Sequence, residues 1–148
     1  TEPAEVAELA AAANRLHART AAAAYRALTG AGAVCRPPQA GFQLYPTLEA
    51  AGLDAVGLEE RLTAALGRVV PGGHRFGDDP AEPRVRIDTG ALHGRTERER
   101  RTALAAADPL AVPHVAAALR ALTTAVGALT GPDAVSGSAD AESRGGAR

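Results

Sequence analysis

Two stretches carry the residue types most able to do chemistry. The first is Val69-Val70-Pro71-Gly72-Gly73-His74-Arg75-Phe76-Gly77, an apolar run that ends in a proline-glycine turn. The second is Arg84-Val85-Arg86-Ile87-Asp88. Side chains alternate across an extended chain, so Arg84, Arg86 and Asp88 share one face and Val85 and Ile87 the other. One face packs on a core while the opposite face presents guanidinium groups beside a glycine-rich bend. A planar, two-pronged, permanently charged donor in such a place suits recognition of a carboxylate. The same pattern also describes an ordinary surface strand, with Arg86 paired to Asp88, Glu82 or a helix carboxylate. Arg84 is the same-face neighbour that takes the role if the register shifts by two residues.

Other chemistry is poorly supported. His17, His74, His93 and His114 lie far apart with no H-x-x-x-H or Cys/His spacing, so no metal centre is read. His74, near Asp78 and Asp79, reads as a solvated loop histidine at the edge of the turn. Cys35 stands alone; it cannot form an internal disulfide, reads as a small buried residue, and makes a reducing cytoplasm the default compartment. All 16 basic residues are arginine, and without lysine no side chain can form a Schiff base or act as a lysine base. Arg95, Arg98, Arg100 and Arg101 interleave with Glu97 and Glu99, which reads as a charged helix start with local ion pairs. With a net charge of -1 and no aromatic residues beside that run, nucleic acid is not an expected partner. No apolar run approaches membrane-spanning length and no signal-peptide pattern is visible, so no membrane partner is expected. The chain begins with threonine and contains no methionine, which reads as a processed or excised piece.

The elements that must position the arginines are legible from spacing and caps. Positions 3–29 predict one long helix, with Pro3, Glu5 and Glu8 in its first turns, Gly30 as its C-terminal cap and a stripe of Val6, Leu9, Leu16 and Leu28. Such a helix is roughly 40 Å long, about the diameter of a domain of this size, so it is expected to connect to something beyond this chain. Strands are predicted over 33–36 and 41–45, the second with Phe42 and Leu44 on one face and Gln43 and Tyr45 on the other. Asp54 caps a helix over 55–66, with Leu58, Leu62 and Leu66 in a stripe and Gly67 at its end. The strands of the opening motif follow. Thr96-Glu97-Arg98-Glu99 is a capping box that starts a helix running to about 107, and Asp108-Pro109 breaks it. Beyond Pro113, the residues Val115, Leu119, Leu122, Val126 and Leu129 define an amphipathic helix that Gly131-Pro132 stops. Short links between neighbouring strands favour antiparallel pairing. The expectation is an α+β, two-layer domain with a small, mostly antiparallel sheet packed by helices. Its division is a connecting helix over 1–30, the α+β unit over 31–130 and a disordered tail over 131–148.

In this order the motifs resemble the C-terminal small domain of the fold-type-I pyridoxal-phosphate enzymes, in particular the class I/II aminotransferases. The matching features are the long first helix, Pro38-Gln39-Ala40-Gly41-Phe42 at the head of a strand, Pro71-Gly72 and Phe76-Gly77 around a turn, and Arg86-Ile87 in the strand that follows. The spacing between Pro71-Gly72 and Phe76-Gly77 is one residue longer than the usual pattern. The resemblance spans positions 1–130. It implies that Arg86 holds the substrate α-carboxylate, with Arg84, Gly41 and Phe42 as further substrate-binding positions and no catalytic or cofactor-binding residue in this chain. It further implies amino-group transfer between amino and keto acids with pyridoxal 5'-phosphate held by a large domain absent from this chain, and a homodimer in the full enzyme. Two other functions fit the residues: a non-catalytic module that binds a small carboxylate or amino acid, and an interaction protein whose first helix docks a partner.

Overall fold

The computed structural model describes residues 2–132. Among the described residues there are four α-helices: α1 (Glu2–Gly30), α2 (Ala55–Leu66), α3 (Glu97–Ala105) and α4 (Pro113–Thr130). Two short strands, β1 (Gln43–Leu44) and β2 (Ile87–Asp88), pair antiparallel with Leu44 opposite Ile87. Single antiparallel bridges extend this ladder on both sides: Val34 with Thr47, Thr47 with Arg84, and Gly72 with Val85. The four segments expected as strands therefore lie side by side, and the architecture is α+β.

The strands are shorter than their sequence patterns suggest because proline interrupts them. Pro46, Pro71 and Pro83 have no N–H to give to a ladder. Their carbonyls still accept, from Val85 N–H at 3.2 Å, Arg86 N–H at 2.8 Å and Leu48 N–H at 2.8 Å. The sheet is thus held as much by isolated bonds as by regular pairing.

The helix signals translate closely. Gly57 N–H donates to Asp54 Oδ1 at 2.8 Å, and Gly67 closes α2 with φ 66°. Thr96 and Glu99 form the reciprocal capping box at the start of α3, which ends at Ala105, two residues earlier than expected. At the end of α1 the capping glycine is Gly32 and not Gly30, which remains helical. Gly32 takes φ 90°, its N–H donates to Thr29 O and that of Ala33 to Leu28 O, the paired bonds of a Schellman stop. One more residue of helix, Gly30, is gained because the left-handed position falls on the second glycine of Gly30-Ala31-Gly32. The expected tail lies, from Asp133 onward, outside the described residues.

One leucine-rich core joins the second half of α1 to α2, the sheet and α4, through Leu28, Leu58, Leu62, Val85, Leu92, Leu122 and Val126. A second cluster packs Leu16 against Ala103, Val112 and Val115. The apolar stripe of α1 divides in two. Leu16 and Leu28 are buried, whereas Val6 and Leu9 are 66% and 58% exposed, and every residue from 2 to 11 faces solvent in this chain. Among the described residues no helix is long and apolar enough to cross a membrane.

These burials set an expected contrast. Leu62→Ala should destabilise the chain by about 2–5 kcal/mol, while Leu9→Ala should stay within about 0.5 kcal/mol of the parent, as read by urea unfolding followed by circular dichroism.

Candidate functional site

The site is built on the turn at 71–77. Gly72 and Gly73 supply room there. A Cβ at Gly72 would lie 2.6 Å from the Ala55 carbonyl oxygen and from His74 Nδ1, and one at Gly73 would lie 2.7 Å from Tyr45 Oη. A single helical turn over Gly73–Phe76 follows, closed by Gly77 at φ 90°. Its anchor is Glu59 on α2. The carboxylate accepts from Gly72 N–H at 2.8 Å and takes both prongs of Arg75, Nε and Nη2, at 2.5 Å each. His74 Nε2 is 3.9 Å from the same carboxylate. Only 14% of the Glu59 side chain is exposed. The Arg75 guanidinium and the Gly72 N–H hold its acid well below the ordinary carboxylate range, at about 2. Glu59 is the residue that sequence reading missed. Its neighbours Leu58 and Leu62 announce the buried stripe of α2, but nothing local marks a carboxylate that serves a turn thirteen residues away. His74, expected to be solvated beside Asp78 and Asp79, instead lies half-buried on the Glu59 side.

The strand leaving this turn shows the expected alternation. Val85 and Ile87 are buried, and Arg84 and Arg86 emerge on the opposite face. The two arginines then differ. Arg84 is engaged at all three nitrogens: its guanidinium meets Asp78 at 3.0 Å, Glu82 at 3.2 Å and Thr47 Oγ1 at 3.3 Å. Asp78 also accepts from Tyr45 Oη at 2.6 Å. That bond and the Arg84 charge lower the pKa of the Asp78 carboxyl, while burial and the Asp78 bond raise that of the tyrosine.

Arg86 makes no ion pair with a carboxylate among the described residues. Its guanidinium carbon lies 4.4 Å from the centroid of the Phe76 ring. Phe76 packs edge-on to Tyr45 at 6.2 Å, and Arg84 lies 5.3 Å from the Tyr45 centroid. The register that runs from Leu44–Ile87 to Thr47–Arg84 sets Tyr45 opposite Arg86. Four side chains therefore form one ladder, Arg86–Phe76–Tyr45–Arg84, closed by carboxylates at the Arg84 end and open at the Arg86 end. A flat aromatic support orients a guanidinium without occupying its N–H donors.

Gly41 and Phe42 lie at the other end of the same pair of strands. Gly41 adopts φ 86°, a conformation that favours glycine. Phe42 is 49% exposed, unlike the buried Leu44 two residues on. Its carbonyl accepts from both Thr89 N–H at 2.7 Å and Thr89 Oγ1 at 2.9 Å. The ring meets His17 of α1 at 5.8 Å, and His17 meets His93 edge-on at 4.7 Å. His93 is buried and shares a 2.9 Å hydrogen bond with Thr20 Oγ1. Since that hydroxyl donates to the Leu16 carbonyl at 2.8 Å, the imidazole Nε2–H is the donor in the shared bond. Burial, and then the neighbouring His17, push the His93 imidazole down to about 4. Cys35 is half-buried rather than fully enclosed.

No family model matches the chain, and no curated protein is a significant match. Solved structures are more informative. In fold, this chain resembles part of an aminotransferase. The aromatic aminotransferase of Pyrococcus horikoshii OT3 superposes with a TM-score of 0.51 at 17% identity, over 74% of this chain and 24% of that one. A Pyrococcus protein designated Protein-A1 gives 0.45 at 18% identity, over 68% of this chain and 21% of its own. The chain spans about a quarter of the length of the aminotransferase it matches.

Acid should loosen this site in two steps. The buried His93 is neutral when folded, so its contribution is present above pH 6.5 and declines as pH falls towards 4. The Glu59 contribution is present above pH 4.5 and is lost as pH falls from there towards 2. Glu59→Gln should cost about 1–2 kcal/mol at neutral pH and flatten only the more acidic step, as read from urea midpoints measured across this range.

Proposed function

We propose that this chain is the C-terminal small domain of a pyridoxal-phosphate-dependent aminotransferase. In this reading Arg86 binds the α-carboxylate of an amino or keto acid, and the domain closes over an active site whose reactive groups lie in a large domain outside this chain. The observation that carries the reading is Arg86: its guanidinium is braced on Phe76 and, among the described residues, unclaimed by any carboxylate. The fold likeness to an aminotransferase and the order of the Gly41-Phe42, Pro71-Gly72, Phe76-Gly77 and Arg86-Ile87 motifs support it. Arg84 is assigned a supporting part, since its charge is already balanced by Asp78 and Glu82.

The residues present do not fit the cofactor itself. With no lysine, this chain offers no amino group to hold pyridoxal 5'-phosphate as a Schiff base. Bound in the large domain, that cofactor supplies an electron sink. What this chain contributes is position: a bidentate clamp from Arg86 fixes one end of the substrate, and closure excludes water from the cleft. Gly41 and Phe42, on the flank held by Thr89, line the substrate's approach. The assembled enzyme is a cytoplasmic homodimer in this reading.

The test has two arms. The chain alone should develop no Schiff-base absorbance with pyridoxal 5'-phosphate, and should bind amino and keto acids weakly or not at all in calorimetry, because half of the pocket walls are elsewhere. Tight binding by the chain alone would instead identify a free-standing carboxylate-binding module. In the assembled enzyme, Arg86→Ala should weaken substrate binding by about 2–5 kcal/mol, while an unchanged KM would overturn the assignment.

A further inference from the structure

A second basic site lies on a different part of the molecule, where α2 ends and α3 begins. Arg68, just past α2, sends Nη1 to the Ala91 carbonyl at 3.1 Å. Arg95, just before α3, sends Nη2 back to the Leu66 carbonyl at 3.2 Å. The two arginines thus cross-tie the two segments reciprocally. Between them and α4 opens a cleft of about 260 Å³, floored by Leu66, Leu92 and the alanines of α4 and rimmed by Arg68, Arg95, Glu99 and His114.

Neither guanidinium has a carboxylate within ion-pair distance among the described residues. The one acidic side chain on the rim is already used: Glu99 Oε2 accepts from the backbone N–H groups of Arg95 at 2.7 Å and Thr96 at 3.2 Å. His114 gives Nε2–H to the His93 carbonyl at 2.8 Å. Each guanidinium carries five N–H donors and uses one on a carbonyl, so most remain free. Burial, followed by the like charge of Arg95, destabilises the cationic form of Arg68, with Asp88 only partly offsetting this. Two cations held together by backbone carbonyls gain from a shared anion.

We propose that this cleft binds a small phosphomonoester, its dianionic head between Arg68 and Arg95 and a short apolar body on the leucine and alanine floor. A phosphate offers three oxygens and close to two negative charges to two forks, where a carboxylate offers two oxygens and one charge. The mostly apolar floor favours an organic phosphate over the free ion. No residue here is shared with the Arg86 site, so the two assignments fail independently.

Calorimetry of the 148-residue chain with n-propyl phosphate and with inorganic phosphate tests this directly. Propyl phosphate should bind saturably, several-fold tighter than inorganic phosphate, and weaken as NaCl is raised. Arg95→Gln, at an exposed position, should weaken it about tenfold, with Arg86→Gln unchanged. Ala121→Leu, which narrows the floor and keeps both arginines, should erase the preference for the propyl ester. Absence of saturable binding at millimolar ligand would overturn the proposal. So would equal affinity for the two phosphates in the parent chain, an unaltered affinity in Arg95→Gln, or an equal loss in Arg86→Gln.

Discussion

The burial of Val85 and Ile87 is the constraint from which the rest of the site follows. Both are essentially inaccessible, and each contributes about 1.5–3 kcal/mol by leaving water. A slip of one residue would expose both and force Arg84 and Arg86 into the leucine core, where unpaired guanidinium groups are far costlier than the apolar burial is favourable. The register is therefore decided by the buried side of the strand. Once it is set, Arg86 must emerge beside the 71–77 turn, and Tyr45 must stand opposite it. Glu59 completes the arrangement by holding that turn to α2 through Gly72 and Arg75.

The two arginines on this strand show how position can be separated from occupation. Arg84 has its charge matched by Asp78 and Glu82 and behaves as a structural strut. Arg86 is steadied by the Phe76 ring, an interaction of about 0.5–1 kcal/mol at an exposed site. That is enough to bias a rotamer, and it leaves the N–H donors of the guanidinium unoccupied. The turn at 71–77 contributes as well. Arg86 N–H is tied to the Pro71 carbonyl, so the backbone beneath the guanidinium is fixed to the same turn that carries Phe76.

What could be read from the sequence divides along physical lines. Caps and stripes are local, and the signals at Asp54, Gly67, Thr96, Glu99 and Pro113 translate into α2, α3 and α4 within a residue or two. The alternation at 84–88 is likewise local and correctly separates core from surface. Strand length is not local. It depends on which N–H groups remain available once Pro46, Pro71 and Pro83 are set against neighbouring segments, and that pairing is a tertiary fact. The same reason hides Glu59, whose partners belong to a distant turn, and leaves Phe42, expected beside Leu44 on one face, half exposed. The cap of α1 failed more simply: two glycines were available, and packing of Ala33 under Leu28 selected the later one.

These long-range ties also decide how α1 and the strand must move. Thr20 on α1 is hydrogen-bonded to His93, and the turn that carries His93 follows directly from β2. That turn also holds the Phe42 carbonyl through Thr89, while His114 of α4 donates to the His93 carbonyl. Helix α1, the β1 segment and strand β2 are therefore linked through one short, mostly buried segment. A loop-borne arginine could swing towards a ligand independently of its domain. Arg86 cannot, because displacing its strand would break the Thr20 bond or expose Val85 and Ile87. Any approach of Arg86 to a carboxylate outside this chain has to be made by the whole unit, α1 included.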